Sequence, residues 1–437
     1  MNGRKLSRRT VMQAGAAAAG LTLLPSVRRA GAQTTVKFWN VTYPTEDPND
    51  KSKKLEDFYI YQAIARFQEQ NSGVTVAIEN VPGDTGMFTK YRTASVAANG
   101  PDVMGMWSGS YMLALKDFLE PMASYFTAEE RARITGWEAV AADFQPDSEE
   151  IYGVPAGSDG TTSVYYNKAL LAQAEVDPEG DWRTDFASFV AALEAIEASG
   201  VTPMVLDENA IIWQIYSWWQ AQMLGGSGPV GELVSGARNF SDPPMVDITQ
   251  QWQKLKDYTL PGAETMPGDA AFQSLFAGNI AMSTGGFWVI DPSQEALGEN
   301  LGMIKMPNFS ADAPLQDGGI GGAGTAFIVS NYSAVKDEAV AFIKHLMSKE
   351  EQTLKAESGE GSLLNVTDVD TSPFYSPLKQ TQQEWANEPS TVFWLDNLYP
   401  SDLTTEIKAQ SQLAWTGQIS AEEFLAKIDA KRDEMLG

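Results

Sequence analysis

Aromatic side chains interleaved with short polar ones are the feature of this sequence that could do binding chemistry. The chain contains 12 tryptophans, and the run Trp107-Ser108-Gly109-Ser110-Tyr111 alternates aromatic rings with hydroxyl groups. Sugar hydroxyls need partners when they are buried, and the CH faces of a sugar gain free energy by leaving water and packing on aromatic planes. The pattern therefore suits a polyhydroxylated ligand, whereas packing of the same rings in a core is the alternative.

A carboxylate in a polar run could belong to the same chemistry. Asp159 lies between Gly157 and Thr162, where it could accept protons from ligand hydroxyls. An ordinary solvated loop carboxylate fits the run equally well, so Asp159 is a candidate only.

Catalytic and metal-binding chemistry has little support in the sequence. The chain has no cysteine and one histidine, His345, which follows Lys344 in a helical pattern and suits a surface position. Nucleophile–histidine triads and histidine metal clusters are therefore not predicted, and neither is a cofactor. A carboxylate pair for a secreted glycoside hydrolase or lyase stays open, because 57 acidic residues always permit a pair.

The glycine-rich run 317–324 imitates a nucleotide-binding motif. Gly319, Gly321 and Gly324 fit G-x-G-x-x-G, but residues 325–329 after them read as a strand, where the dinucleotide motif requires a helix. No Gly-Lys-Ser/Thr follows, so a P-loop is excluded as well. The remaining interpretations are close backbone approach to a ligand, a bend between domains, or a plain turn.

The surrounding elements alternate in the way that α/β proteins do. Residues 36–39 read as a strand, residues 55–67 as a helix with one apolar face, and residues 74–79 as a second strand. Further strands are predicted at 103–107 and 163–166. Strand, helix and strand in succession imply a parallel sheet with helices packed on it.

Length and charge limit the partners. A chain of 437 residues usually folds as two domains, and its formal net charge is −26. Nucleic acid and anionic membrane surfaces need clustered Lys and Arg, so both are disfavoured as partners.

The N-terminal segment reads as an export signal. Arg8 and Arg9 stand directly before a weakly apolar run, residues 11–24, and residues 30–32 are small. This pattern predicts recognition by the twin-arginine export machinery, cleavage after Ala32 and a periplasmic location. The run is too short to span a bilayer, which takes about 20 apolar residues. A basic N-terminus on a cytosolic protein is the alternative.

Five short segments occur in an order that is typical of a known protein family. They are Gln70–Val76; Gly100–Val103 with Met106–Ser108; Tyr152–Pro155 with Val164–Lys168; Phe276–Met282 with Gly285–Trp288; and Gly321–Gly324 with a helix over Ala339–Met347. Together they resemble the family 1 extracellular solute-binding proteins, which include maltose- and other sugar-binding proteins. The resemblance covers nearly all of the chain after residue 32.

The resemblance implies a two-lobe periplasmic binding protein (Venus-flytrap) fold with the ligand in the cleft between the lobes. It places residues 33–162 plus 324–358 in the first lobe and residues 163–323 plus 359–437 in the second. It also implies capture of a sugar, delivery to the permease subunits of an ABC transporter, and a monomer without enzymatic activity. A sugar acid, a phosphorylated polyol or another small solute remains an alternative ligand.

Ligand contacts are implied at aromatic positions that match those of the family. These are Trp107, Trp288 and Trp394, with Asn40 and Tyr43 in the loop after the first strand. Trp213 lies in a segment that often supplies another aromatic platform, although its spacing from later tryptophans is also typical of a core. The candidate ligand-binding residues are Asn40, Tyr43, Trp107, Ser108, Ser110, Asp159, Trp213, Trp288, Gly321, Gly322 and Trp394.

Overall fold

The computed structural model describes residues 33–47, 50–83, 86–145 and 147–437. The predicted export signal and its cleavage site lie outside the described residues.

The first lobe is built on a mixed five-stranded sheet. Its strands in chain order are β1 (Thr34–Asn40), β2 (Val74–Asn80), β3 (Val103–Trp107), β4 (Val154–Gly157) and β10 (Thr325–Val329). Their spatial order is β2-β1-β3-β10-β4; β1 runs parallel to β2 and β3, whereas β10 is antiparallel to both of its neighbours. The strands predicted at 36–39, 74–79 and 103–107 are therefore confirmed.

The second lobe is built on a four-stranded sheet. Its strands are β5 (Ser163–Asn167), β6 (Thr202–Val205), β7 (Ile280–Gly285) and β8 (Leu301–Lys305), in the spatial order β6-β7-β5-β8. The short strands β9 (Gly319–Gly321) and β11 (Thr391–Phe393) form a separate parallel pair.

Helices cover both sheets because their apolar faces need burial. In the first lobe they are α1 (Tyr59–Gln70), α2 (Gly86–Val96), α3 (Ser110–Leu113), α4 (Ala128–Arg133), α12 (Lys336–Leu346) and α13 (Lys349–Ser358). In the second lobe they are α5 (Lys168–Gln173), α6 (Phe186–Ala198), α7 (Ser217–Leu224), α8 (Ser227–Ser235), α9 (Pro243–Lys254), α10 (Gly268–Phe276), α11 (Ile290–Leu297), α14 (Pro377–Trp385), α15 (Leu395–Leu398), α16 (Ser401–Trp415) and α17 (Ala421–Leu436). A π-helical segment, Ala210–Tyr216, precedes α7.

Each lobe has its own hydrophobic core. Phe38 of β1 is fully buried and makes edge contacts with Phe327 of β10 and Phe342 of α12, which joins sheet to helix in the first lobe. In the second lobe Trp252 of α9 is fully buried, packs on Trp415 of α16, and donates from its indole nitrogen to a backbone carbonyl oxygen. Two cores in one chain confirm the two-lobe α/β fold that the sequence predicted.

Two crossing segments between the lobes lie side by side. The backbone N–H of Asp159 donates to the carbonyl of Gly322 at 2.9 Å, and the N–H of Gly322 donates to Gly160 at 2.9 Å. A Cβ atom on Gly321 would lie 2.0 Å from the carbonyl oxygen of Gly160. Glycine is therefore required where the two crossing backbones touch.

The packing of the segment after α13 differs from the predicted lobe boundary. The sequence assigned 359–437 to the second lobe, but Leu363, Leu364, Val366 and Tyr375 pack in the first core. The chain crosses to the second lobe close to the start of α14, where Leu378 packs in the second lobe. These apolar residues pack in a core formed by segments far away in the chain. The spacing of apolar residues does not show which core such a segment joins, so the boundary could not be predicted from it.

Among the described residues, no helix combines the length and the apolar character that a membrane crossing needs. The described part of the chain also has no group of three His, Cys, Asp or Glu side chains that could hold a metal ion.

Candidate functional site

A cavity of about 940 Å³ lies between the two lobes and is here called the cleft. Its volume falls within the range of small-molecule sites. The residues that line it are Phe88, Thr89, Arg92, Trp107, Tyr111, Ala114, Leu115, Asp159, Asn209, Trp213, Gln214, Trp288, Gly324, Thr325, Trp394, Asp396, Asn397, Ser401, Thr404, Thr405, Lys408, Ala409 and Gln412.

Three aromatic rings form the first-lobe wall of the cleft. Phe88 of α2 stacks on Tyr111 of α3 with ring centroids 5.4 Å apart and an interplanar angle of 15°. Trp107, at the end of β3, meets both rings edge-on at 5.9 Å. Contacts between offset or perpendicular rings hold each plane in a fixed orientation, so this wall is preformed.

Three tryptophans line the opposite wall. Trp288 and Trp394 stack with centroids 6.2 Å apart and planes inclined by 28°. Trp394 is buried, but 37% of the Trp288 surface is exposed. Trp213 is buried in the second core and lines the same wall. A ligand in the cleft would therefore meet aromatic surface on both lobes.

The π-helical segment presents Trp213 and Gln214 to the cleft. Its start is fixed by Asp207, whose carboxylate accepts from the backbone N–H groups of Asn209 at 2.7 Å and Ala210 at 2.9 Å. The extra residue per turn in a π-helix shifts which side chains share a face, and such segments are frequent at functional sites. Trp213 and Gln214 are adjacent in sequence yet line one cavity.

Two glycines let Asp159 and Trp288 approach the cleft. A Cβ on Gly324 would lie 1.8 Å from the Oδ2 atom of Asp159, and a Cβ on Gly286 would lie 2.3 Å from the ring of Trp288. The indole N–H of Trp394 donates to Oδ2 of Asp159 at 3.1 Å. Asp159 therefore links the crossing segment to the aromatic wall of the second lobe.

Two cleft carboxyl groups are held away from water. Burial raises the pKa of Asp159 to about 7, against the lowering effect of the Trp394 hydrogen bond, and the nearby charge of Asp396 raises it further. Burial also raises the pKa of Asp396 to about 7, although nearby backbone N–H groups lower it. Neither carboxyl forms an ion pair among the described residues, although the charge of Lys408 also lowers the pKa of Asp396. Oδ1 of Asp396 has no partner and can accept a hydrogen bond.

Several oxygen atoms of cleft residues have no hydrogen-bond partner. They are Oε1 of Gln214, Oγ1 of Thr325 and Oδ1 of Asp396, and all three are shielded from solvent. An unsatisfied buried polar group costs about 1–3 kcal/mol. A ligand that brings hydroxyl donors to these oxygens would recover that free energy.

The cations at the cleft already have partners. Arg92 donates to the carbonyl oxygen of Ala114 at 3.0 Å. Lys408 donates to Glu208 at 3.0 Å and to Asn209 at 2.9 Å. The polar groups that remain available are mostly acceptors, so the cleft favours a ligand rich in hydroxyl donors over an anion.

The structure brings five of the predicted site residues together in the cleft, namely Trp107, Asp159, Trp213, Trp288 and Trp394. The two predicted residues after the first strand lie elsewhere. Asn40 is buried and fixes its own loop, because its Nδ2 donates to the Tyr43 carbonyl at 3.0 Å and its Oδ1 accepts from the Tyr43 N–H at 3.1 Å. The Tyr43 ring stacks on Phe327 inside the first lobe. Their contacts stabilise the loop and do not line the cleft.

The remaining predicted residues support the connection between the lobes. Ser108 is fully buried and donates to the Ala323 carbonyl at 2.5 Å. The Ser110 hydroxyl donates to the backbone oxygen of Asp396 in the other lobe at 3.4 Å. The backbones of Gly321 and Gly322 contact the other crossing segment at Asp159 and Gly160. The sequence of the glycine run indicates close approach to a ligand, a bend between domains or a plain turn; in the structure its glycines instead allow two crossing backbones to approach each other.

Sequence reasoning missed several residues of the cleft. Phe88, Arg92, Gln214, Asp396 and Lys408 stand on helices or beside them, where the sequence offers no local signal of a binding role. Asp396 lies two residues after Trp394, and that proximity was the signal that could have found it.

Comparisons with known proteins agree with this architecture. Residues 62–387 match the family model described as bacterial extracellular solute-binding protein, which is more than half of the chain. No curated protein matches the chain.

Solved structures share the fold at low sequence identity. A structure from work on xylan utilization by the thermophilic bacterium Caldanaerobius polysaccharolyticus is 21% identical, with a TM-score of 0.73 over 91% of this chain and 99% of that chain. A chitin oligosaccharide binding protein is 20% identical, with a TM-score of 0.74 over 92% and 99%. An ABC transporter solute binding protein of Thermotoga lettingae, bound with α-D-tagatose, is 18% identical, with a TM-score of 0.70 over 92% and 100%. These likenesses establish the fold.

Proposed function

The chain belongs to the bacterial extracellular solute-binding proteins, and from that premise we propose that it is the sugar-capturing component of an ABC importer. The observation that carries this proposal is the cleft, where aromatic rings of both lobes enclose oxygen atoms without partners. Aromatic planes match the CH faces of sugar rings, and the free acceptors match their hydroxyl protons. The similar structures that bind chitin oligosaccharide and α-D-tagatose support it.

Capture would work through lobe closure. A ligand that packs on Trp107 of the first lobe and on Trp288 of the second makes contacts with both lobes only when the lobes are close together. It therefore shifts the population toward the closed form, by as much as its affinities for the two forms differ. The permease would recognise the closed form, as the resemblance to sugar-binding proteins implies.

The ligand of this proposal is a neutral saccharide. Asp159 and Asp396 are carboxyls without cationic partners, so a sugar acid or a phosphorylated polyol would place like charges together in a poorly solvated site. Hydroxyl groups instead donate to the carboxylates and satisfy Gln214 and Thr325 at the same time.

The cellular setting is part of the proposal. The export signal over residues 1–32 would direct the chain through the twin-arginine machinery to the periplasm, with cleavage after Ala32. There the protein would act as a monomer, without catalysis, and hand its sugar to the permease subunits.

A thermal-shift screen of the chain from Gln33 onward tests the proposal. Mono-, di- and trisaccharides, sugar acids and polyols are compared, and each supernatant is analysed for breakdown. We expect a neutral saccharide to raise Tm in step with RT ln(1 + [L]/Kd) and to be recovered intact. Cleavage of the saccharide would replace the proposal with a hydrolase that uses Asp159 and Asp396. If only sugar acids stabilise the protein, the proposal that the ligand is neutral is wrong. If no saccharide raises Tm, the proposal that the ligand is a sugar is wrong.

A further inference from the structure

A second cavity of about 330 Å³ lies between the lobes beyond Trp288. Its first-lobe side is lined by Lys53, Phe58 and Glu360, and its second-lobe side by Trp288, Asp291 and Lys379. Trp288 also lines the cleft, so this one residue stands between the two cavities.

The exposure of Trp288 is unusual for a residue of its size. It leaves 37% of its surface uncovered, whereas its stacking partner Trp394 leaves 9%. A large aromatic ring that stays partly exposed between two concave surfaces indicates a contact that the protein alone does not complete. One ligand that crosses the ring would cover this surface.

Ion pairs from both lobes line the second cavity, and on the first lobe Lys53 also lies 3.8 Å from Asp47. Lys53 binds Glu360 at 2.8 Å on the first lobe, and Lys379 binds Asp291 at 2.6 Å on the second. A lysine beside a carboxylate offers donors and acceptors next to each other, which is what neighbouring hydroxyl groups of a sugar require. The ring of Phe58, under the Lys53 ammonium at 4.4 Å, adds an apolar surface.

The size of the second cavity suits one further sugar ring. A volume of 330 Å³ corresponds to about eleven water molecules at roughly 30 Å³ each, which is room enough for one pyranose ring with its hydroxyl groups and for some water beside it. The cleft is nearly three times larger, so it can hold the rest of a short chain.

We propose that the ligand is an oligosaccharide that crosses Trp288, with its main part in the cleft and one terminal ring in the second cavity between the two ion pairs. This inference rests on the proposed function, because it specifies the length of the saccharide that the same site binds. It also assigns Lys53, Glu360, Asp291 and Lys379 to recognition of the terminal ring.

Calorimetric titration with homologous saccharides of increasing length tests the inference. The probes are xylose to xylotetraose, N-acetylglucosamine to chitotetraose, and glucose to maltotetraose. We expect a stoichiometry of one and, in at least one series, a gain in affinity of about tenfold or more when the chain becomes long enough to pass Trp288. The substitutions Asp291→Ala and Lys53→Met should remove that gain and leave the affinity for the shorter members unchanged. Asp291 is 59% exposed, so its substitution should not disturb folding.

The matched control is Lys344→Met, which breaks the Lys344–Glu130 pair outside both cavities and should change no affinity. The inference is wrong if affinity does not rise with saccharide length. It is also wrong if the Asp291 and Lys53 variants lose the same affinity for short and long saccharides; in both cases the proposed function stands. Two monosaccharides bound per chain would also overturn the inference, because the cavities would then be separate sites. If none of the three series binds but another saccharide stabilises the protein in the thermal-shift screen, the titration is repeated with longer members of that saccharide's series. Affinity that does not increase with their length then overturns the inference. If no saccharide binds in either experiment, both the proposed function and this inference are wrong.

Discussion

The interior of the first lobe and the cleft both hold carboxyl groups away from water, but they treat them differently. In the first lobe, Glu351 accepts two hydrogen bonds of 2.7 Å from the guanidinium of Arg66, and His345 lies 3.3 Å from the same carboxylate. In the cleft, Asp396 has an oxygen atom without any partner, and its pKa is raised to about 7 by burial. Glu351 has its hydrogen-bond partners within the fold, whereas Asp396 keeps one oxygen atom without a partner.

The difference separates a structural role from a binding role. Glu351 is paired within the fold and lines neither cavity, so a ligand has no access to it, whereas removing its partner would leave a buried charge uncompensated. A shielded acceptor without a partner destabilises the folded protein until a donor arrives, so its free energy becomes available to binding. The comparison therefore assigns Glu351 to the fold and Asp396 to the ligand, and substitutions can test the assignment.

The largest expected effect is the loss of the guanidinium in the first lobe. Arg66→Ala removes both guanidinium hydrogen bonds of the buried Glu351 carboxylate and leaves His345 as its remaining neighbour, and we expect it to lower the free energy of unfolding by about 3 kcal/mol. Chemical denaturation measures the change. The control is Arg238→Ala, which breaks a pair of the same chemistry at 2.6 Å whose two side chains are each 47% exposed. That control should change the free energy of unfolding little, because solvent screens an exposed pair, and equal losses in the two variants would contradict the structural role of Glu351.

The next effect belongs to the aromatic wall of the cleft. Trp288→Ala should weaken binding of the saccharide found in the screen by about 30-fold, or roughly 2 kcal/mol, because aromatic anchors carry much of the binding energy. Its effect on unfolding should be small, since 37% of the residue is already exposed. Trp182→Ala provides the contrast: Trp182 packs on Phe189 in the second core and lines neither cavity. It should reduce stability and leave the affinity of the folded protein unchanged; the reverse pattern would refute the assignment.

The aromatic wall also shows how much the sequence could predict. Trp107 ends a strand and Trp288 follows one closely, and a residue in such a position takes its place from the sheet. The resemblance expected both rings at a ligand, and the structure shows that both line the cleft. Trp394 follows a short strand and Trp213 lies on a helical segment, and both face the cleft as well. Such positions depend on backbone regularity that extends over many residues.

Other parts of the site could not be predicted because they depend on contacts between distant segments. Asn40 was expected at the ligand, but the amide of its side chain closes its own loop, a choice that sequence spacing does not reveal. Gln214 and Asp396 become cleft acceptors only because the fold leaves their oxygens without partners. The absence of a partner is a property of the packed structure, and no local pattern records it.

A smaller effect should follow from neutralising the cleft acceptor. Asp396→Asn keeps the shape of the side chain but weakens the acceptor, so we expect saccharide affinity to fall about tenfold, or 1.4 kcal/mol, in calorimetry at pH 8. The unfolding free energy should move in the opposite direction. The folded pKa of about 7 lies above the ordinary value of an aspartate, 3.8, so the wild type loses stability as the pH rises from about 4 through 7.

Asp396→Asn should therefore stabilise the unliganded protein at pH 8, where the wild-type carboxyl is ionised in a buried site, and should give no gain at pH 4. The exposed Asp402→Asn serves as the control, and it should show neither change. An Asp396→Asn variant that binds normally, or that gains the same stability at both pH values, would place Asp396 outside the binding site.

The smallest effect tests an exception to the comparison, a buried charge in the first lobe that folding has not paired. Burial lowers the pKa of Lys355 to about 7, and the hydrogen-bond partner of its ammonium is the Ser362 hydroxyl at 3.4 Å. Below pH 7 the lysine is charged in both the folded and the unfolded states, so its burial destabilises the fold fully there. Between pH 7 and about 10.5 the folded state loses the proton first, and the penalty disappears. Lys355→Met keeps the length of the side chain and should raise the unfolding free energy by about 1 kcal/mol at pH 6 and by less at pH 9.5. If the variant is instead less stable at pH 6, the ammonium has stabilising contacts within the lobe. If it loses saccharide affinity without losing stability, Lys355 belongs with Asp396 among the groups that bind the ligand.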